Sequence, residues 1–138
     1  MKRVFVFFLT WLGATTAGAV DLPRHGITSD QAMALVMASL TAQQRRLPRL
    51  GAEPSSPQCP SRFLFFEVTW EGTPNGSVVV DNSAVDPYTG DVFSSVMSCY
   101  EVKYKRLEAL QAQVRATLHL TQVKYKKLKT NGPLCDLN

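Results

Sequence analysis

The chain reads as an α+β protein built from one helix, a three-stranded antiparallel meander and a long C-terminal helix. Three observations predict this. A capping-box tetrad opens an apolar stripe at helical spacing after Thr28, aromatic and β-branched runs bounded by turn clusters fill residues 62–97, and residues 100–129 contain no glycine or proline while repeating apolar side chains at helical spacing.

Ahead of these elements, Lys2 and Arg3 precede the apolar run Val4 to Leu12, and Ala17-Gly18-Ala19 offers a small-residue cleavage site. That order is the order of a secretory signal peptide. Residues 1–19 are expected to be removed, leaving residues 20–138 as a single domain, because a chain of about 119 residues buries one core but hardly two. The apolar run falls short of the about 20 residues that cross a bilayer, and no later stretch is as long or as free of charge. The expected location is therefore the periplasm or the medium, with no transmembrane segment.

In Thr28-Ser29-Asp30-Gln31, the Thr side chain can accept from the third amide while Gln31 reaches back to the cap amide. Met33, Val36, Met37, Leu40 and Leu47 then recur on one helical face, and Pro48 forbids continuation. The helix is expected to end by about Leu47. Pro48, Gly51, Pro54, Ser55, Ser56, Pro57 and Pro60 mark an irregular connector running to Cys59. Arg62 to Trp70 reads as a strand, with Leu64, Phe66, Val68 and Trp70 on the face that the helix covers. Phe63 and Phe65 lie on the other face, so another piece of the chain or a partner must cover part of it. Glu71 to Gly76 is a turn cluster, and Ser77 to Val85 follows as a second strand with Val78, Val80 and Ala84 inward. Asp86-Pro87-Tyr88-Thr89-Gly90 turns the chain again into a short strand from Asp91 to about Met97. Leu107, Leu110, Val114, Leu118, Thr121, Tyr125 and Leu128 form one stripe of the terminal helix, which stops at Asn131-Gly132-Pro133.

The chain carries 15 Lys and Arg against 11 Asp and Glu, and the excess is uneven. Residues 21–100 are mildly acidic, whereas residues 101–129 hold most of the basic side chains. A solvated helix face accounts for that run, and the expected compartment argues against nucleic acid although Tyr100, Tyr104 and Tyr125 interleave with lysines. No Gly-x-Ser-x-Gly or His-Glu-x-x-His occurs, and His25 and His119 are the two histidines. No catalytic set, metal site or cofactor is expected, so the chain is not read as an enzyme. A thiol-dependent enzyme is the third-ranked alternative.

Three cysteines, Cys59, Cys99 and Cys135, fall in the exported part. In an up-down-up meander Cys59 lies at the bottom and Cys99 at the top, and a descending helix returns the tail to the bottom. The expected disulfide is Cys59 to Cys135, with Cys99 free or available for an intermolecular bond.

Ile27-Thr28-Ser29-Asp30-Gln31-Ala32, then Phe66-Glu67-Val68, then Val85-Asp86-Pro87-Tyr88-Thr89-Gly90-Asp91-Val92 resemble the helix-strand-strand-strand pattern of PepSY-like domains over residues 27–93. That resemblance implies an extracytoplasmic module associated with restraint of enzymes. In general character the chain is also similar to periplasmic immunity proteins that block peptidoglycan hydrolases delivered by type VI secretion. The function expected is inhibition by protein binding, the target being a secreted or envelope hydrolase whose cleft is plugged by a loop of the sheet. Glu71, Thr73, Pro74, Asn75 and Gly76 in the first loop and Tyr88 in the second are the candidate contacts. The alternative is an envelope- or lipid-binding module that uses the basic C-terminal helix.

Overall fold

The computed structural model describes residues 25–56, 61–72, 78–94 and 99–133. The first helix, α1 (Ser29–Ser39), starts where the tetrad places it. Thr28 accepts from the Gln31 amide at 3.3 Å, and the Thr28 amide donates to Gln31 Oε1 at 2.9 Å. α1 stops well short of Leu47 because the same device occurs a second time. Thr41 and Gln44 make the reciprocal pair at 2.8 and 3.2 Å, which turns the chain out at Leu40 and starts a short 3-10 turn, Gln44–Arg46.

Five strands form one antiparallel sheet in chain order: β1 (Gly51–Ser55), β2 (Leu64–Thr69), β3 (Val79–Val85), β4 (Val92–Ser94) and β5 (Tyr100–Glu101). The expected three-stranded meander is thus its centre, with a strand added at each edge. β1 lies inside the segment expected to be irregular. It pairs only with β2, so Pro54 sits on an edge, where a missing amide costs no ladder bond and the free edge is blunted. β4 is described from Val92 to Ser94, and residues 95–98, over which the strand was expected to reach about Met97, lie outside the described residues.

The inward set of β3 also differs from the expected one. Val68 pairs with Asp81 but Thr69 pairs with Val79, a register shift that takes Val80 out of the alternation. Asp81, Ser83 and Val85, on the regular side of the shift, share a face with their partners Val68, Phe66 and Leu64, and Val80 at the shift is partly buried against that same core, as expected. Ala84 is buried on the opposite face, and Val78 is 48 % exposed.

α1 covers the first face, packing Ala32, Leu35 and Val36 with Phe66, Val68, Val85 and Val92, as expected for β2. The terminal helix is two helices rather than one: α2 (Lys105–Thr117) and α3 (Gln122–Leu128). α2 adds Leu107 and Val114 to the same core. A straight helix from Lys105 to Leu128 would reach about 36 Å at 1.5 Å per residue, whereas the seven residues of β3 cover about 23 Å. The chain instead turns at His119, which takes a left-handed φ of 50°, and Thr121 recaps it by accepting from the Lys124 amide at 3.3 Å.

On the second face Phe63, Ala84 and Phe93 form a smaller cluster, the two rings meeting edge to face at 5.7 Å. The chain itself supplies cover here. A Cβ at Gly132, whose φ is +115°, would lie 3.1 Å from the Phe93 ring and 3.2 Å from Cys99 Sγ, so the segment after α3 runs directly over this ring.

Candidate functional site

Three aspartates are buried among the described residues, and their surroundings divide into two kinds. Asp86 and Asp91 flank the second turn and are 0 % and 1 % exposed, while Asp81 on β3 is 5 % exposed.

The turn Asp86 to Asp91 is closed by its own backbone: the Asp86 amide donates to Asp91 O at 2.9 Å and the Gly90 amide to Asp86 O at 2.8 Å. Gly90 carries the positive φ, +72°, that the turn requires. The carboxylate of Asp86 accepts from the Tyr88 amide at 3.0 Å and pairs with Arg62, which also donates to Leu128 O at 2.7 Å. Burial pushes the Asp86 carboxyl above its ordinary value, against the Tyr88 amide and Arg62. α2 holds the rest of the turn. Arg115 donates to Asp91 Oδ1 at 2.6 Å and to Thr89 O at 2.9 Å, and Gln111 donates to Gly90 O at 2.9 Å. The Tyr125 hydroxyl of α3 reaches Asp91 Oδ1 at 3.1 Å. Tyr88 is half-buried, its ring centroid 5.8 Å from the Arg62 guanidinium. The turn read from sequence as a presented loop is thus gripped by the body of the protein.

Lys129 extends this network. Its ammonium donates to Glu101 Oε1 at 2.7 Å and to the Tyr125 hydroxyl at 3.1 Å, and lies 4.0 Å from Asp91. Burial opposes the charged form of Lys129, but these partners outweigh it and hold the group well above its ordinary 10.5. Burial likewise opposes ionised Glu101, and Lys129 outweighs it, leaving that carboxyl below its ordinary 4.5. A raised lysine contributes stability in full below its ordinary value and loses it as pH rises through the folded one. A depressed glutamate contributes in full above its ordinary value and loses it as pH falls. The margin by which wild type outmelts Lys129→Met should therefore be widest between pH 4.5 and 10.5 and narrow on both sides. Asp86 is common to both proteins and cancels. Thermal melts from pH 3 to 11 check the acid-side narrowing and the plateau, with the alkaline narrowing only beginning at the upper end; a margin that stays constant from pH 3 to 7 would show that Lys129 acts by packing alone.

The first turn is of the opposite character. Glu71 is exposed and pairs with exposed Arg49, and its amide donates to Pro48 O at 3.2 Å. Thr73, Pro74, Asn75 and Gly76 lie outside the described residues, as do Cys59 and Cys135; Cys99 is a free, exposed thiol.

Asp81 faces neither turn. It lines a cleft of about 220 Å³ on the α1 side of the sheet, between the end of α1 and strands β3 to β5. Ser39, Thr41 and Gln44 form one wall, Val80, Ser94 and Val102 the other, and Tyr100 and Tyr104 stand at the rim, 52 % and 43 % exposed. Asp81 accepts from Ser83 at 2.8 Å and from Ser94 at 2.6 Å, one hydroxyl on each oxygen. Among the described residues no Lys, Arg or His lines this cleft or pairs with Asp81. Sequence reading missed Asp81 because simple alternation cannot place both Val80 and Asp81 inward, whereas the register shift does. The tyrosines were visible, but only as neighbours of lysines. No group of three His, Cys, Asp or Glu placed to hold a metal ion occurs among the described residues, and no described helix is long and apolar enough to cross a membrane.

No protein-family model matches the chain, and no curated relative does. Among solved structures, the fold is similar to a chain from a type VI secretion system effector-immunity complex of Pseudomonas protegens. The TM-score is 0.57 at 21 % identity, over 80 % of this chain and 94 % of that one. The two share a fold. The PepSY-like resemblance rests only on the residues that suggested it, and the chain departs from the helix-strand-strand-strand order by placing β1 between α1 and β2.

Proposed function

We propose that the protein is an exported inhibitor that acts by binding another protein, an immunity-type module whose target is a cell-wall hydrolase. The observation that carries this reading is the fold shared with a chain of an effector-immunity complex. The signal-peptide order of residues 1–19 supports it by directing the chain to the compartment where such hydrolases act.

The end of the sheet that bears the β2–β3 connection is the better candidate for the inhibiting surface. Glu71 is exposed there, whereas the Asp86 to Asp91 turn at the opposite end spends its polar groups on Arg62, Gln111 and Arg115. Glu71, Thr73, Pro74, Asn75 and Gly76 would enter the target's cleft on a rigid support, which keeps the ordering cost low. Tyr88 remains a contact for the second loop.

The test uses the mature protein as bait on envelope extract, followed by assay of any captured protein for peptidoglycan hydrolysis and for its suppression by equimolar bait. Asn75→Lys or Glu71→Arg should then weaken inhibition by about tenfold or more. The melting temperature should hardly move, since exposed turn positions shift stability by about 0.5 kcal/mol or less. Charge reversal at Lys124, Lys126 and Lys127, which α3 leaves exposed, is the control. If inhibition survives the loop variants and disappears with the lysine variants, the basic helix is the surface and the loop reading is wrong.

A further inference from the structure

We propose that the Asp81 cleft receives a cationic side chain, arginine or lysine, from the partner protein. The three buried aspartates make the case. The fold gives Asp86 an arginine, Arg62, and gives Asp91 another, Arg115, yet among the described residues it gives Asp81 the hydroxyls of Ser83 and Ser94 and no cation. A carboxylate has about four lone-pair sites and two are taken, so two remain for a donor arriving through the cleft. Burying a charge without a counter-ion is costly, and the chain holds 15 Lys and Arg from which one could have been supplied.

The walls suit the same occupant. Tyr100 and Tyr104 at the mouth offer aromatic faces to a passing cation, and exposed tyrosines of this kind are typical anchors in protein interfaces. Val80 and Val102 offer apolar surface for the methylene stem of a long basic side chain. At about 220 Å³ the cleft is smaller than the roughly 300 Å³ at which small-molecule sites begin, which favours one side chain over a cofactor. The identity of the occupant as part of a protein rests on the protein-binding reading above; the chemistry of the cleft does not.

The experiment is an amide-resolved NMR titration of the ¹⁵N-labelled mature protein with N-acetyl-arginine methylamide, using the neutral citrulline analogue as its isostere. Saturable shifts are expected at the amides of Asp81, Ser94, Tyr100 and Val102, with the citrulline analogue about tenfold weaker. Asp81→Asn should bring arginine binding down to the citrulline level. Tyr100→Ala, at an exposed position that leaves the core untouched, should weaken it by about threefold or more and answers the question even if Asp81→Asn fails to fold. No saturation up to about 50 mM, equal binding of the two analogues, or shifts gathered at Glu53, Glu67 and Glu71 instead would overturn the inference. If the titration is negative while loop variants still abolish hydrolase inhibition, the inhibitor reading stands and the cleft inference falls. If arginine binds the cleft but no captured protein is inhibited, the reverse holds.

Discussion

Arg115→Met should lower the unfolding free energy by about 3 kcal/mol, the low end of the range for removing one partner of a buried ion pair. Arg115 is itself 26 % exposed, but the side chain of Asp91 is 1 % exposed, so the loss strands a carboxylate that water cannot reach. It also removes the donor to Thr89 O at 2.9 Å and the guanidinium that lies 4.2 Å from the Tyr125 ring. Three groups hold the cost down: the hydroxyls of Thr89 and Tyr125 still donate to Asp91, and Lys129 stands 4.0 Å away. Urea unfolding measures the change, and a domain of this size should melt about 10 °C lower. Adding Asp91→Asn to the variant should restore part of the loss, since a neutral amide in that place costs less than an unpaired charge. A loss below about 1 kcal/mol would mean that the pair behaves as a surface contact.

Phe66→Ala should cost about 4 kcal/mol, within the range for truncating a buried phenylalanine where the surroundings cannot collapse. Phe66 is 1 % exposed and stands in the middle of β2, paired with Pro54 on one side and Ser83 on the other. The main chain on both sides is fixed by the ladders, so little can move to fill the void. Phe66→Leu keeps most of the volume and should lose about 1.5 kcal/mol or less. Denaturant midpoints with an unchanged slope are the measurement. Equal losses for the two substitutions would argue that the core is loosely packed around this ring.

Local signals carried the sequence reading, and long-range ones defeated it. The Thr28 capping box worked because its partners are three residues apart. The same logic applied at Thr41 and at Thr121 would have found the early end of α1 and the break before α3, which the unbroken apolar stripe concealed. β1 was hidden for a different reason: Gly51 and Pro54 are strand breakers in isolation, and only the vacant edge of β2 makes them acceptable. Asp86, Pro87, Thr89 and Gly90 are turn residues by type and do form a turn. Nothing near them in sequence announces that Arg62 and Arg115, each 24 residues from its aspartate, will bury it. The cleft was illegible for a similar reason: Asp81 continues the inward alternation of Val85 and Ser83, and the shift opposite Thr69 leaves Val80 facing inward beside it, so two adjacent residues line one cleft.

The grip on the Asp86 to Asp91 turn has a kinetic consequence. Arg115 and Tyr125, which hold Asp91, belong to α2 and α3, well after the turn in chain order, and the contact between Arg62 and Leu128 spans 66 residues. Residues 27–93, the stretch that resembles a separate module, therefore cannot neutralise Asp91 or complete Arg62's bonds alone. The sheet can pair early and Asp86 can meet Arg62, but Asp91 waits for α2 and α3 to dock. The fold is completed only when α2 and α3 dock, and contacts of this sequence separation are slow to form. A molecule in which the sheet has paired but α2 and α3 have not docked holds Asp91 without its arginine, and the cost of that unpaired carboxylate keeps such a partly folded form from persisting.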